Sequence, residues 1–161
     1  MYAIGPSPQP LRSEFVTHLN PDEFRTMIDN HVASYLATDG VEGAIFNGVP
    51  CVILSTVGAK SGELRLSPIV RVPVPDSEDY LAVASMGGAP KHPSWFHNIV
   101  AHPDQVALQD RAVKRNYQAR VVDGDERDAL WNVAVDVYPL YAKYQTRTER
   151  VIPVIRLTPT E

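Results

Sequence analysis

Two segments of this chain gather cationic and glycine residues in a way that can hold an anion. The first is Thr56-Val57-Gly58-Ala59-Lys60-Ser61-Gly62-Glu63-Leu64-Arg65. An apolar run ends there in a loop with two glycines, a lysine, a serine and an arginine. Backbone N–H groups, an ammonium point charge and a guanidinium fork together make an anion site. The glycine spacing is not that of a Walker loop, and no long helix follows. The plainer reading is a polar hairpin between two strands. The second segment is Ser85-Met86-Gly87-Gly88-Ala89-Pro90-Lys91-His92-Pro93, which runs into Ser94-Trp95-Phe96-His97-Asn98. Its double glycine lets a ligand come close to the backbone, and Lys91 and His92 follow. Pro93 opens a helix beside a basic loop, a further place for negative charge. The plainer reading is a strand-to-helix link with Trp95 in the core. Two such loops at strand ends are more suggestive than either alone.

A third group is Tyr138, Tyr141 and Tyr144. On a helical path they fan over adjacent faces about 60° apart. They can wall a pocket for a flat ring with their hydroxyls reaching substrate, or simply pack. Other chemistries lack support. His18, His31, His92, His97 and His102 form no close pair with an acid at zinc-site spacing, so no metal is expected. No serine lies on a hydrolase-type elbow, and Cys51 sits mid-strand, a poor place for a nucleophile.

The elements that must position these residues follow from periodicity and breakers. A helix is expected over 21–37, capped by Asn20 with Glu23 completing a capping box. Its apolar face would be Phe24, Met27, Ile28, His31, Tyr35 and Leu36. A glycine-rich loop over 41–49 includes the turn pair Asn47-Gly48. Strands are expected over 51–55, 66–74 and 80–85, the second flanked by Pro68 and Pro73 as an edge or bulge. A short helix over 93–101 comes next, then strands over 106–109 and 117–122 joined through a hairpin segment at 110–116. Asp123 would cap a helix that runs to Val137 and buries Leu130, Val133, Ala134 and Val137. Tyr141 to Thr146 is a further helical piece, and Val151 to Leu157 a last strand. Strands mostly follow strands over short links, which favours a mainly β fold, an antiparallel sheet or small barrel with attached helices.

Composition sets the outer limits. The chain has 161 residues, 44% of them hydrophobic and 21% charged, which suits one domain with its own core. Residues 1–19, with Pro6, Pro8 and Pro10, read as a flexible arm, and 20–161 as the single domain. The net charge of −4 argues against non-specific nucleic-acid binding. One cysteine excludes an internal disulfide. No membrane span and no signal sequence are evident, so the expected location is the cytoplasm.

Taken together, these segments resemble the deazaflavin-dependent nitroreductase family, the smaller class of coenzyme F420-dependent oxidoreductases, found mainly in actinobacteria. The likeness covers roughly Gly43 to Leu157. Thr56 to Arg65 is similar to that family's Thr-x-Gly-x-Lys-Ser-Gly-x-x-Arg segment, and Ser85 to Asn98 to its Ser-x-Gly-Gly-Ala-x-Lys-x-Pro-x-Trp-x-x-Asn segment. The stretch from Tyr138 to Pro153 resembles its Tyr-Pro-x-Tyr, Tyr-Gln, Thr-x-Arg and Ile-Pro tail.

The resemblance implies a split β-barrel related to the FMN-binding split barrels. It implies a hydride transfer from the reduced cofactor to an electron-poor acceptor: a quinone, a nitroaromatic or a conjugated carbonyl compound. Lys60 and Arg65 would hold the cofactor's phosphate, with Ser61, Gly62 and Pro68 nearby. Ser85, Met86, Gly87, Gly88, Ala89 and Lys91 would line the cofactor, Trp95 would pack the ring pocket, and Asn98 would complete the set. Tyr138, Tyr141, Tyr144 or Ser85 would serve the acceptor as catalytic groups. Two departures stand out: Met86 replaces a lysine of some relatives, and Val70 lies near where relatives active on nitroimidazoles place a tyrosine. Some relatives associate with membranes, but the proline-rich start here makes a poor amphipathic anchor. Monomer and homodimer both remain open. The rival readings are a non-catalytic carrier of F420 or another ligand, and an FMN-dependent split-barrel reductase.

Overall fold

The structure is a computed structural model that describes residues 20–46 and 48–160. The expected N-terminal arm and Asn47 of the Asn47-Gly48 turn lie outside the described residues. Helix α1 spans Pro21–Ala37. Its capping box is complete: Asn20 Oδ1 accepts from the Glu23 N–H at 2.8 Å, and the Asn20 N–H donates to Glu23 Oε2 at 3.2 Å. The face it buries is narrower than the expected one. Val32 and Tyr35 are buried and Ile28 packs beside them, while Phe24 and Leu36 are exposed, so the helix meets the barrel along one narrow stripe.

Seven strands follow: β1 (Ile45–Phe46), β2 (Val49–Val57), β3 (Leu64–Val70), β4 (Tyr80–Val83), β5 (Val106–Asp110), β6 (Val113–Val121) and β7 (Val154–Pro159). Helices α2 (Ser94–Ala101), α3 (Gly124–Val137) and α4 (Leu140–Thr146) are interleaved with them. All ladders are antiparallel, in the order β1-β2-β5-β6-β7-β4, with β3 on the other edge of β2. Beyond β3 the chain crosses to β4. The Leu81 N–H donates to Val72 O at 2.8 Å and the Val74 N–H to Asp79 O at 2.9 Å. These bonds draw the two ends of the sheet together into the split barrel expected from the resemblance.

Alternation along β2 explains its almost unbroken apolar run. Val52 and Leu54 face the barrel interior, with Ile69, Ala82, Leu108, Ala119, Ile155 and Leu157. Cys51 and Ile53 face the other way, under Val32 and Tyr35 of α1. A strand covered on both faces has no position for a polar residue to reach water. A third cluster joins β4 and β7 to the later helices through Leu81, Val83, Val154, Leu130 and Ala134.

Several boundaries differ from expectation. The 41–49 loop contains strand β1, which pairs Phe46 with Val49. Strand β6 starts at Val113, opposite Asp110, so the hairpin turn is only Arg111-Ala112. Arg111 has φ +57°, and its N–H donates to the Tyr35 hydroxyl at 2.6 Å. That hydroxyl in turn donates to Gln109 O at 3.1 Å, so α1 pins the hairpin. Asp123 makes no side-chain cap, and the Glu126 side chain that would complete a capping box is paired with Arg120 through two bonds of 2.6 and 2.8 Å. Val137 is exposed rather than buried, and Val151 precedes the last strand as an exposed residue. Pro68 sits where β3 has a ladder partner on one side only, opposite Ile53, so its missing N–H removes no ladder bond. Among the described residues no helix is long and apolar enough to cross a membrane.

Two outcomes follow. Leu54, with no exposed surface, should cost about 2–5 kcal/mol when cut to alanine, read by denaturant unfolding. Burial pushes the Cys51 thiol up from 9.0 to about 12, with Asp110 adding to the shift. A raised thiol pKa means almost no thiolate at pH 8. A thiol reagent should therefore label Cys51 only after unfolding, and fast labelling of the native protein would contradict its placement.

Candidate functional site

The first basic loop joins β2 to β3. The Gly58 N–H donates to Glu63 O at 2.8 Å and the Gly62 N–H to Gly58 O at 3.0 Å, which close the turn. Ser61 Oγ accepts from the Glu63 N–H at 3.1 Å. A Cβ on Gly58 would stand 2.3 Å from that Oγ, so a larger residue there would turn the Ser61 hydroxyl away from the Glu63 N–H. Lys60 is exposed at the crest. Arg65, across the ladder from Thr56, is exposed and lies 3.3 Å from the Glu63 carboxylate. That pair is at the surface and contributes little, so an incoming anion can replace Glu63 at small cost.

The second loop follows β4. Ser85 is buried, and Met86, Gly87 and Gly88 all have positive φ, at 46°, 64° and 83°. The turn is closed by the Gly88 N–H to Ser85 O at 2.9 Å and the Ala89 N–H to Met86 O at 3.1 Å. Met86 is 58% exposed and Lys91 is exposed, so both lie on the outer side. Gly87 has nothing within 4 Å of where a Cβ would stand, so its outer backbone is open. Gly88 is the reverse case. A Cβ there would meet Tyr144 O at 2.6 Å, so this residue is the contact between the loop and α4.

Helix α2 ties the loops together. Asn98, 8% exposed, accepts from the Ala59 N–H at 2.9 Å and donates to Thr56 Oγ1 at 3.2 Å. Both ends of its amide are thus engaged by the first loop. Its own helix begins directly after the second loop. Asn98, expected among the cofactor-binding residues, bonds the first loop from the helix that follows the second. Trp95 is half-buried and packs with Phe96 against the barrel core.

The tyrosines separate into two environments. Tyr138 and Tyr141, 4% and 3% exposed, belong to the cluster with Val83, Leu130 and Ile152. Burial, aided by Tyr138 and Tyr144, raises the Tyr141 pKa well above its ordinary value. Tyr144 is half-buried, and its hydroxyl lies 3.0 Å from that of Tyr138. Of the three, Tyr144 reaches outward and Tyr138 stands behind it as a hydrogen-bond partner.

The sequence placed Gln145 and Arg150 in the tail motif without a role and did not single out Arg147. Arg150 donates to Ala84 O at 3.0 Å, Ser85 O at 2.8 Å and Ala89 O at 2.8 Å. It also donates to His92 Nδ1 at 2.9 Å, which requires the neutral ring. Burial, Arg150 and His97 all hold the His92 pKa below its usual value. Gln145 Nε2 donates to Arg150 O at 2.8 Å, and Gln145 Oε1 accepts from the Ile152 N–H at 2.9 Å. Arg147 reaches Gly87 O at 3.4 Å. The signal available was an arginine, with five donors in a fork, just before an apolar strand.

Comparison with known proteins identifies the family. The model of the F420H(2)-dependent quinone reductase family matches residues 27–159. An F420H(2)-dependent quinone reductase of Mycobacterium tuberculosis (strain ATCC 25618 / H37Rv) is 36% identical over 132 residues, 80% of this chain and 87% of the relative. The solved structure of an F420-H2 dependent reductase (FDR-A) superposes with a TM-score of 0.62 at 46% identity, covering 67% of this chain and 93% of that one. A structure described as a domain-swapped dimer gives a TM-score of 0.64 at 39% identity, covering 86% of this chain and 99% of that one. With a match that runs from the first helix to the last strand, the chain belongs to the F420H(2)-dependent quinone reductase family.

Proposed function

We propose that this chain binds reduced F420 across its two basic loops and uses it to reduce a quinone or a similarly electron-poor acceptor. The observation that carries the reading is the coupling of the loops by Asn98. The crest with Lys60 and Arg65 is bonded to the helix that follows the Met86–Gly88 turn. The residues present fit such a group. F420 ends in a phosphate and glutamates, and Lys60, Arg65 and Lys91 are exposed cations beside open glycine backbone. Bound there, the reduced deazaflavin supplies a hydride from C5.

The chain's own groups have simpler tasks. Lys60 and Arg65 bind charge, with Arg65 exchanging Glu63 for the incoming anion. The turn at Met86 to Gly88 offers backbone for close approach. Trp95 and the tyrosine cluster limit the water around the ring. Tyr144 is the hydroxyl best placed to donate to an acceptor oxygen as it gains negative charge, and Tyr138 holds it in orientation. Val70, half-buried on β3, offers no hydrogen bond, which favours quinones and conjugated carbonyls over nitroimidazoles. The carrier and FMN readings are separated by titration. Binding of F420 with micromolar or tighter affinity, no binding of FMN, and loss of reduced cofactor on adding a quinone support the proposal. Binding without turnover would leave a carrier.

In a folded Lys60→Ala/Arg65→Ala protein, F420 binding should weaken by about 1–3 kcal/mol, the value of charge-assisted hydrogen bonds to an anion. Unchanged affinity, read by cofactor fluorescence, would remove both residues from the site. Tyr144→Phe should lower turnover by about tenfold or more while leaving cofactor affinity near wild type. Tyr141→Phe, in the core, should change turnover less than Tyr144→Phe does. The reverse ranking in steady-state kinetics would place the acceptor against Tyr141 instead.

A further inference from the structure

We propose that Arg150 is a positioning residue that forces the Ser85–Ala89 turn into its cofactor-receiving shape, acting through the reach of its guanidinium rather than through its charge. The proposal rests on the reading of this loop as the F420 site. Three carbonyls from both feet of one turn, Ala84 O, Ser85 O and Ala89 O, converge on a single side chain. A trans peptide points its N–H opposite its carbonyl. Turning the Ala84 and Ser85 carbonyls inward to Arg150 therefore turns the Ser85 and Met86 N–H groups the opposite way, away from Arg150.

The turn would not adopt this shape unaided. Met86 has φ +46°, a left-handed conformation that disfavours any residue with a Cβ. Such a residue persists only where its surroundings over-determine it. Here the surroundings are specific. Arg150 holds the feet, Arg147 reaches the Gly87 carbonyl, and Gly88 lies against Tyr144 O. Arg150 is itself aimed, because Gln145 binds its carbonyl and the Ile152 N–H at once. His92 takes the remaining direction of the fork. A lysine would keep the positive charge, but its single nitrogen cannot span carbonyls that a planar fork reaches from separate atoms.

That difference supplies the test. F420 binding is titrated by fluorescence for the wild type, Arg150→Lys and Arg150→Ala. Amide hydrogen exchange is followed on the same proteins without ligand. The expected result is that both variants bind F420 at least tenfold more weakly and within about threefold of each other. The Gly88 and Ala89 amides, which close the turn, should exchange at least tenfold faster in Arg150→Lys, while those of Leu54 and Leu108 in the barrel keep their protection. Wild-type affinity in Arg150→Lys would show that charge alone matters and would overturn the proposal. Unchanged exchange at Gly88 and Ala89 would overturn it as well. Should the Arg150 variants fail to fold, Gln145→Ala keeps the guanidinium and loosens only its aim. It should give the same two effects in smaller degree, and their absence would count against the proposal. If the wild type does not bind F420, the functional reading fails, and the exchange data alone decide whether Arg150 shapes the turn.

Discussion

Strand β2 is the constraint on which the rest of the molecule depends. It is paired on both edges, with β3 along one and with β5 and the short β1 along the other. It is covered on both faces, by the barrel interior and by α1. A one-residue slip would exchange Val52 and Leu54 with Cys51 and Ile53, and each pair has a different partner set. The register of β2 is therefore tightly specified. Both the Lys60 crest and its ladder to Arg65 inherit that precision, because they begin where this strand ends.

The polar groups around the site divide by what they are bonded to. Asn98, Gln145 and Arg150 all bond backbone groups, and Asn98 and Arg150 bridge segments distant in sequence. Lys60, Arg65 and Lys91 face solvent. A buried amide or guanidinium that lost its partners would leave unsatisfied groups at both ends, which makes such struts stiff. An exposed ammonium loses little when a ligand displaces its water. The arrangement thus puts rigidity beneath the loops and exchangeable charge on top of them, which is what recognition of an anionic tail requires.

Much of this was legible in the sequence, and the residues show why. The α1 capping box, the two-sided apolar run of β2 and the glycine-lysine loops are local patterns, and local physics produces them. Asn98 and Trp95 were found by position in a motif, but the strut role of Asn98 depends on a partner 39 residues away. Arg150 is farther still from the carbonyls it gathers, so no window of sequence contains the interaction. The environments of the three tyrosines were not legible for a related reason. Helical spacing puts Tyr138, Tyr141 and Tyr144 on adjacent faces, but only the packing of α3 and α4 against β4 and β7 decides which face is inside. The pairing of Glu126 with Arg120 on a neighbouring strand, in place of the expected capping box, has the same long-range origin.

A net negative charge and the anion site proposed here are in apparent conflict, and distance resolves it. At physiological salt, exposed charges are screened beyond about 8 Å. A net charge of −4 spread over the surface is therefore weakly felt at the crest of one loop. What acts there is the local set, Lys60 and Arg65 against Glu63. Other arginines are engaged in ion pairs, Arg71 with Asp110 and Arg156 with Asp79 partly buried, Arg120 with Glu126 at the surface. Guanidinium suits those places because it is weakly hydrated and binds in a fork, whereas a strongly hydrated ammonium belongs at the surface. The division of labour between the two cations leaves the site's field to a few exposed residues. Changing those few should alter ligand binding without disturbing the barrel that carries them.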